Sequence, residues 1–418
     1  MIWSKKALRL KESPINWLIQ YALENPKTIS LAAGLVEQES LPVKELEEAF
    51  QSLLREENCR RFLQYGATSG LKELKISTID WLQNLDANDS SFNDVSEDSI
   101  VITNGCQQLL YLLSEVLFDQ GDIVIVESPS YFVYTDALKS IGVQFIGIPM
   151  TPEGMDISIL KSTLISLDEN KQLNRLKMIY SIPWCQNPTG VSRSPQNLKD
   201  LHKLLSLYLD KSEFYFVEDA AYRALVFDGS TVSGSMLEYK NMVPRTIFAT
   251  TFSKPFAPGV KLGAGIVPEP IKEKLVLVKG NHDFGSSHWN QALVWQLLKN
   301  GGLEVARKRV LKSYQQKSAL LFDLLFEQLP SSYELEKVSG GMYLWLKCPS
   351  GIDTGRDSEL FKNCLENGVI YVPGEYCDID EKNSKNSIRF SFGRVNQEEI
   401  VEGVSRFILA LSKSRLSS

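Results

Sequence analysis

The middle of the chain alternates short, continuous apolar runs with stretches whose leucines recur at helical spacing. The apolar runs lie at 99–105, 122–130, 143–150, 176–183, 214–220, 245–253 and 263–268. Runs of this kind, separated by helices, are typical of parallel strands that are covered by helices on both faces. The pattern therefore predicts an α/β domain that is built on a mainly parallel sheet.

The pattern changes after about residue 300. A long, charged amphipathic stretch at 303–328 predicts a helix, and the strand-like runs "GGMYLWLKCP" and "NSIRFSFG" follow it. These features predict a second, smaller α+β domain. The first forty or so residues contain the strand-like run "TISLA" and otherwise show no strand pattern.

Composition narrows the class of protein. The 418 residues are 43% hydrophobic and carry a net charge of -6 without a basic run, so nucleic acid and anionic membranes are poor candidate partners. The N-terminus has no apolar core of signal-peptide length, and no apolar run is long enough to span a bilayer. Six cysteines without paired spacing and only three histidines argue against a metal site. Free thiols in the cytoplasm are the simplest interpretation.

The chemistry of an open α/β sheet is found at the carboxyl ends of its strands. In "VITNGCQQ" the residues Gly105, Cys106 and Gln107 would supply the first amides of a helix, which suit a phosphate. Taken alone, such a stretch is more often an ordinary strand-to-helix turn than an anion site.

Other strand ends carry polar or aromatic side chains, and each of them also has an ordinary explanation as a core, turn, cap or surface residue. They are Tyr131, Asn187, Asp219, Tyr222, Thr251, Ser253 and Lys254. Taken together, the set matches the needs of pyridoxal 5'-phosphate: an amine for its aldehyde, an anion for its ring nitrogen, donors for its phenolic oxygen, and amides and hydroxyls for its phosphate.

The chain resembles the class I/II aminotransferases of fold type I, because nine of its motifs match that family and occur in the same order. The resemblance is closest to the 2-aminoadipate and kynurenine aminotransferase branch. The motifs are "TISLAAGL", "LQYGATSGLKELK", "ITNGCQQ", "ESPSY", "QNPTG", "VEDAAY", "FSKPFAPGVKLG", "GGMYLWL" and "IRFSFG". The resemblance implies a fold type I α/β transferase with a mainly parallel seven-stranded sheet in its large domain and a smaller α+β domain. It places an N-terminal segment at 1–45, the large domain at 46–299 and the small domain at 300–418.

The resemblance also implies roles for individual residues around pyridoxal 5'-phosphate. Lys254, Asp219 and Tyr222 would be catalytic: Lys254 would bind the aldehyde, Asp219 would pair with the ring nitrogen, and Tyr222 with Asn187 would donate to the phenolic oxygen. Tyr131 would stack on the ring. The phosphate would be held by Gly105, Cys106, Gln107, Thr251, Ser253 and Lys261.

Substrate and partner contacts follow from the same resemblance. Arg389 would bind the substrate α-carboxylate, with Asn187, Gly34 and Glu37 also lining the substrate site. Tyr65 would reach the phosphate in the neighbouring subunit's site, so a homodimer with shared sites is expected.

The chain departs from the family pattern at three places. Lys261 stands where this branch usually has arginine, and Cys106 stands for a usual serine. The segment "GLVEQESLP" lacks two prolines, and its Glu37 and Glu39, with Glu12, add negative charge. This charge suggests a cationic substrate such as an arginine- or lysine-like amino acid, whereas a solvated acidic loop is the alternative interpretation.

The predicted function is transamination between an L-amino acid and a 2-oxo acid by a ping-pong mechanism. The alternative keeps the cofactor but predicts elimination, replacement or cyclisation of a modified amino acid, because a fold does not determine a reaction. A transcriptional regulator carrying the same fold is not expected, since the resemblance begins within the first residues.

Overall fold

The computed structural model describes residues 2–10, 12, 14–86, 89–380 and 383–416. The strands are β1 (Ile29–Ser30), β2 (Ile100–Thr103), β3 (Ile123–Ser128), β4 (Gln144–Thr151), β5 (Gly154–Met155), β6 (Leu176–Ser181), β7 (Tyr215–Asp219), β8 (Thr246–Thr251), β9 (Gly263–Ile266), β10 (Glu334–Leu335), β11 (Tyr343–Lys347), β12 (Val369–Ile370), β13 (Val372–Pro373) and β14 (Ser387–Ser391).

The helices alternate with these strands through the middle of the chain and dominate its two ends. They are α1 (Lys5–Arg9), α2 (Pro14–Glu24), α3 (Val43–Arg55), α4 (Lys72–Leu85), α5 (Gly105–Leu117), α6 (Phe132–Ile141), α7 (Ile157–Glu169), α8 (Pro195–Ser206), α9 (Ile271–Asp283), α10 (His288–Lys299), α11 (Gly302–Gln328), α12 (Glu359–Glu366) and α13 (Gln397–Leu416).

The large sheet has the strand order β2-β9-β8-β7-β6-β3-β4-β5. Strands β8, β7, β6, β3 and β4 are parallel, and β9 runs antiparallel between β2 and β8. The predicted mainly parallel sheet of seven strands is therefore confirmed. The two-residue β5 adds an eighth strand, because the turn before Gly154 folds it back antiparallel onto β4. Gly154 has a positive φ of 120°, which favours glycine at this turn.

The continuous apolar runs form buried strands, as their sequence predicts. Every residue of β2, β7 and β8 is buried, since helices cover both faces of the sheet. Helix α8 begins as its sequence indicates: the Ser194 hydroxyl accepts a hydrogen bond from the Asn197 amide at 3.1 Å, and Pro195 occupies the first turn.

A second, four-stranded antiparallel sheet has the order β10-β11-β14-β13 and packs with α11 and α13. Helix α11 spans Gly302–Gln328, which confirms the helix predicted at 303–328. In this sheet Tyr343 pairs with Ser391, and Trp345 pairs with Arg389. Tyr343 and Arg389 thus lie diagonally across two neighbouring strands.

The N-terminal segment joins the C-terminal part of the chain. Strand β1 pairs in parallel with β12, and the Arg406 guanidinium donates to the carbonyls of Lys27 and Gly368. The proposed domain limits stay a prediction, and the first of them, after residue 45, falls in the first turn of α3.

Two further findings concern the whole of the described chain. Across its described ranges, no helix combines the length and the apolar character needed to cross a bilayer. All six cysteines are described, and all are free thiols.

Candidate active site

The carboxyl ends of two neighbouring strands, β7 and β8, and the start of α5 meet at one place. The Cys106 thiol on α5 contacts the Asp219 carboxylate at the end of β7, and Cys106 also lies near Lys254. Gly105 lies next to Thr251 at the end of β8, since a Cβ on this glycine would be 3.9 Å from the Thr251 hydroxyl. The structure therefore brings together residues that are far apart in the sequence.

Asp219 is a buried carboxylate that has no ion-pair partner among the described residues. It is 4% exposed, and it accepts hydrogen bonds from the Tyr180 hydroxyl at 2.7 Å and from the Ala221 amide at 3.2 Å. Burial raises the pKa of Asp219 to about 6, although the hydrogen bonds from Tyr180, Ala221 and Cys106 favour its ionised form. No ion pair within the described ranges includes Asp219, so a protonated ring nitrogen would fit this carboxylate.

The start of α5 is open to an anion. Asn104 precedes the helix without a side-chain cap, so the first amides of α5 have no acceptor from that position. Strand β9 lies close to these amides, because a Cβ on Gly263 would be 3.0 Å from the Cys106 nitrogen and 2.6 Å from the Thr250 carbonyl. Only glycine at 263 permits that approach. Free amides at a helix N-terminus fit a phosphate.

Hydroxyls and a cation lie beside the start of α5. The Thr251 hydroxyl donates to the Leu262 carbonyl at 3.2 Å and accepts from the Ser253 amide at 3.1 Å. Lys261 directly precedes Leu262, is exposed, and has no partner among the described residues. The Gln107 side-chain oxygen is buried without a hydrogen bond. The Gln107 oxygen can only accept, but the α5 amides, the Ser253 hydroxyl and the Lys261 amine are donors of the kind that a phosphate requires.

Lys254 and the N-terminal segment meet at the site. The Lys254 amine donates to the Gly34 carbonyl at 2.9 Å. Two residues earlier, the Ala32 carbonyl accepts from the Arg389 guanidinium at 3.0 Å. The segment 31–36 thereby connects the end of β8 to β14.

Arg389 is a buried cation without an anion. It is 2% exposed; one terminal nitrogen donates to the Asn187 side-chain oxygen at 2.8 Å, and its Nε has no partner. Because the Asn187 oxygen accepts from Arg389, the Asn187 amide nitrogen remains available as a donor. No ion pair of the described part of the chain includes Arg389, so a substrate carboxylate fits here.

Three tyrosines surround these groups. Tyr131 precedes α6 and faces Asp219 and Arg389, and burial raises its pKa. The Tyr222 hydroxyl donates to the Tyr343 hydroxyl at 3.3 Å. The Arg389 guanidinium lies 4.3 Å from the centre of the Tyr343 ring, within the range of a cation–π interaction.

Two predicted site residues, Glu37 and Tyr65, lie apart from the residues around Asp219 and Arg389. Glu37 accepts hydrogen bonds from Lys317 at 2.5 Å and from Ser313 at 2.9 Å. Burial favours a higher pKa for Glu37, but the hydrogen bonds from Lys317, Ser40 and Ser313 outweigh it and lower the pKa. Of the three acidic residues that suggested a cationic substrate, Glu37 is thus neutralised within the chain.

Tyr65 is 88% exposed, and its described contacts are with Gln64 and Phe284. Within one chain it does not join the other predicted site residues.

Sequence reasoning missed Tyr180 and Tyr343. Tyr180 is a polar residue inside the buried strand "LKMIYS", which is a signal for a buried hydrogen bond. Tyr343 lies in "GGMYLWL", where nothing in the sequence indicates which strand pairs with it.

The chain is similar to known proteins over almost its full length. The profile of the family described as aminotransferase class I and II matches residues 26–407. Aromatic-amino-acid aminotransferase 1 of Thermococcus litoralis is 32% identical over 97% of this chain and 92% of its own length. The 2-aminoadipate transaminase of Thermus thermophilus is 31% identical over 98% of this chain and 96% of its own length.

A solved structure adds information on the cofactor. An α-aminoadipate aminotransferase from Thermus thermophilus, in complex with N-(5'-phosphopyridoxyl)-L-leucine, superposes with a TM-score of 0.84 at 29% identity, covering 100% of this chain and 98% of the other.

The raised pKa of Asp219 predicts a stability change in Asp219→Asn. Because the folded-state pKa of about 6 lies above the ordinary 3.8, the folded state loses stability as the pH rises through this window. Without cofactor, Asp219→Asn should be more stable than the wild type by about 2–3 kcal/mol at pH 8. The difference should shrink at pH 5. Urea unfolding of cofactor-free protein at both pH values measures it.

With pyridoxal 5'-phosphate present, the same variant should lose the stabilisation that the cofactor gives the wild type, and turnover should fall by ~100-fold or more. Equal stability of the two cofactor-free proteins at pH 8 would show that Asp219 has another cationic partner.

The close approach of Gly34 and Tyr343 predicts a clash in Gly34→Ala. The new Cβ would lie 2.1 Å from the Tyr343 hydroxyl and 3.2 Å from the ring carbon that bears it. Since Tyr343 is buried, Gly34→Ala should cost about 1–3 kcal/mol of stability in urea unfolding. Gly34→Ala in a Tyr343→Phe background should cost much less. Gly351→Ala, where nothing lies within 4 Å of the new Cβ, is the control.

Proposed function

The chain belongs to the class I and II aminotransferase family, and from this premise we propose how its residues hold the cofactor and which amino acids it accepts. The protein is a pyridoxal 5'-phosphate-dependent transferase that moves an amino group from an amino acid to a 2-oxo acid by a ping-pong mechanism. The comparisons do not support the alternative of elimination, replacement or cyclisation.

The site assignment rests on two buried charged side chains, Asp219 and Arg389, which belong to no ion pair of the described part of the chain. An isolated charge in a dry site costs several kcal/mol, so each of them needs a ligand of opposite charge. Asp219 would bind the ring nitrogen of the cofactor, and Arg389 would bind the substrate carboxylate. One ligand pair, cofactor and amino acid, satisfies both.

The other residues would hold the cofactor by its phosphate, its phenolic oxygen and its ring. The amides at the start of α5, Thr251, Ser253 and Lys261 would hold the phosphate. The Asn187 amide and the Tyr222 hydroxyl would donate to the phenolic oxygen, and Tyr131 would cover the ring. When bound, the cofactor supplies an electron sink for the electron pair that remains at the substrate Cα.

Lys254 would move the proton at Cα. Its amine lies against the Gly34 carbonyl, two residues from the Ala32 carbonyl that accepts from Arg389. A substrate whose carboxylate is held by Arg389 would therefore present its Cα near this amine, which acts as general base and then as general acid. Segment 31–36 closes over the same place and would exclude water.

For the amino donor we propose an aromatic L-amino acid. Tyr131, Tyr222 and Tyr343 supply aromatic surface around the carboxylate site. Glu37 is already paired with Lys317, so it offers no free anion to a cationic side chain. The similarity to an aromatic-amino-acid aminotransferase supports the same class.

Steady-state kinetics with a panel of donors test this proposal. With 2-oxoglutarate as acceptor, phenylalanine or tyrosine should give a kcat/KM at least about tenfold higher than arginine or lysine, because an unpaired cation is costly to bury. The 2-oxo product is measured by chromatography, and 2-aminoadipate completes the panel. Lys254→Ala should release no 2-oxo acid from any donor.

A preference for arginine or lysine would overturn the aromatic assignment. Loss of a leaving group in place of 2-oxo acid release would contradict transamination itself.

We further propose that the protein is a homodimer with shared active sites. Tyr65, Leu63 and Phe284 are 88%, 73% and 75% exposed, and such a concentration of apolar surface suits an interface. Tyr65 would enter the partner's site. The six free cysteines suit a cytoplasmic location, which we also propose.

Mixing two inactive variants tests the shared sites. Lys254→Ala and Tyr65→Ala, dissociated and reassembled together, should recover about 25% of wild-type activity, because half of the dimers are mixed and each mixed dimer has one intact site. Sedimentation should show a dimer for each variant. A monomeric wild type, or no recovery on mixing, would count against this arrangement.

A further inference from the structure

Tyr343 on β11 contacts several parts of the site at once. Its hydroxyl accepts from the Tyr222 hydroxyl, its ring faces the Arg389 guanidinium, and its oxygen lies so close to Gly34 that a Cβ there would be 2.1 Å away. The side chain is only 4% exposed. Its hydroxyl is thus held in one place by groups from three separate segments.

The hydroxyl, and not the ring, is the feature that needs explaining. A phenylalanine would fill the same space and keep its face against Arg389. The Tyr222 and Tyr343 rings already pack edge to face, with centroids 5.6 Å apart and planes at 77°. The oxygen adds a hydrogen bond to Tyr222 and excludes any side chain at residue 34.

Of the two hydroxyl protons of Tyr222 and Tyr343, one has no acceptor among the described residues. A tyrosine hydroxyl has one proton to donate and can also accept. Tyr222 donates its proton to Tyr343, and among the described residues the Tyr343 hydroxyl donates to none. The other titratable or charged groups that face Tyr222 are Tyr131 and Arg389. Neither of them is in hydrogen-bond contact with the Tyr222 hydroxyl.

We propose that Tyr343 is a positioning residue for Tyr222: when the Tyr222 hydroxyl donates a hydrogen bond to the phenolic oxygen of the cofactor, the Tyr343 hydroxyl turns to donate to the Tyr222 oxygen. The inference rests on the proposed role of Tyr222 as a donor to that phenolic oxygen. A hydroxyl that accepts a hydrogen bond is a stronger donor, because hydrogen bonds in a chain polarise one another. Tyr343 therefore strengthens the hold of Tyr222 on the phenolic oxygen.

A spectroscopic titration of the resting enzyme tests this without substrate. Donors to the phenolic oxygen stabilise the form of the bound cofactor that has lost a proton, so a weaker donor raises the pH at which that proton leaves. Tyr343→Phe should raise the apparent pKa of the visible absorbance band by about 0.4 to 1 pH unit, the range that one hydrogen bond supplies. Tyr222→Phe should raise it further.

The double variant separates a chain of hydrogen bonds from two independent effects. In the Tyr222→Phe background, Tyr343→Phe should change the apparent pKa by less than about 0.2 pH unit, because its only route to the cofactor is gone. Tyr371→Phe is the matched control: it removes another buried hydroxyl, which donates to the Thr354 carbonyl at 3.0 Å, and it should leave the band in place.

Two results would overturn the proposal. An unchanged titration in Tyr343→Phe would show that the hydroxyl does not act on Tyr222, and an equal shift in both backgrounds would show that it acts by another route. A wild-type protein that takes up no pyridoxal 5'-phosphate, and so has no visible band, would instead overturn the proposed function and this inference with it.

Discussion

The site depends on two buried charges of opposite sign that do not neutralise each other. Asp219 ends a strand of the large sheet, and Arg389 lies on a strand of the small one. Their burial disfavours the cofactor-free protein, because among the described residues each charge has hydrogen bonds but no partner of opposite charge. The same arrangement favours a ligand pair that supplies a cationic ring nitrogen and a carboxylate. Binding thus removes an unfavourable feature of the fold instead of adding contacts to an already satisfied surface.

The N-terminal segment keeps these two charges in one site. Strand β1 is paired with β12, the Leu31 carbonyl accepts from the Ser391 amide, and the carbonyls of Ala32 and Gly34 accept from Arg389 and Lys254. Glu37 of the same segment forms an ion pair with Lys317 on α11. The segment lacks the two prolines of the family pattern, and this ion pair lies at the same place.

The hydrogen-bond partners of the buried polar side chains determine which of their atoms are available to a ligand. The Asn187 oxygen accepts from Arg389, which leaves its nitrogen available as a donor. Tyr180 donates to Asp219 and favours its ionised form, whereas Tyr222 is directed at Tyr343 and is free to turn toward a ligand. The functional difference between two buried tyrosines is therefore a difference in the acceptor that each one meets.

The sequence by itself determined the elements and the chemistry at their ends. Apolar runs and leucine spacing predicted β2, β3, β6, β7 and β8 and helix α11, since burial on both faces and helical periodicity are local properties. The motifs likewise predicted Lys254 and Asp219. Tertiary structure alone decided that Glu37 is paired with Lys317 and that Tyr343 meets Tyr222. Those contacts depend on the register between strands and on the packing of segments that are far apart in the chain. Hydrophobic periodicity in the sequence indicates neither the register nor this packing.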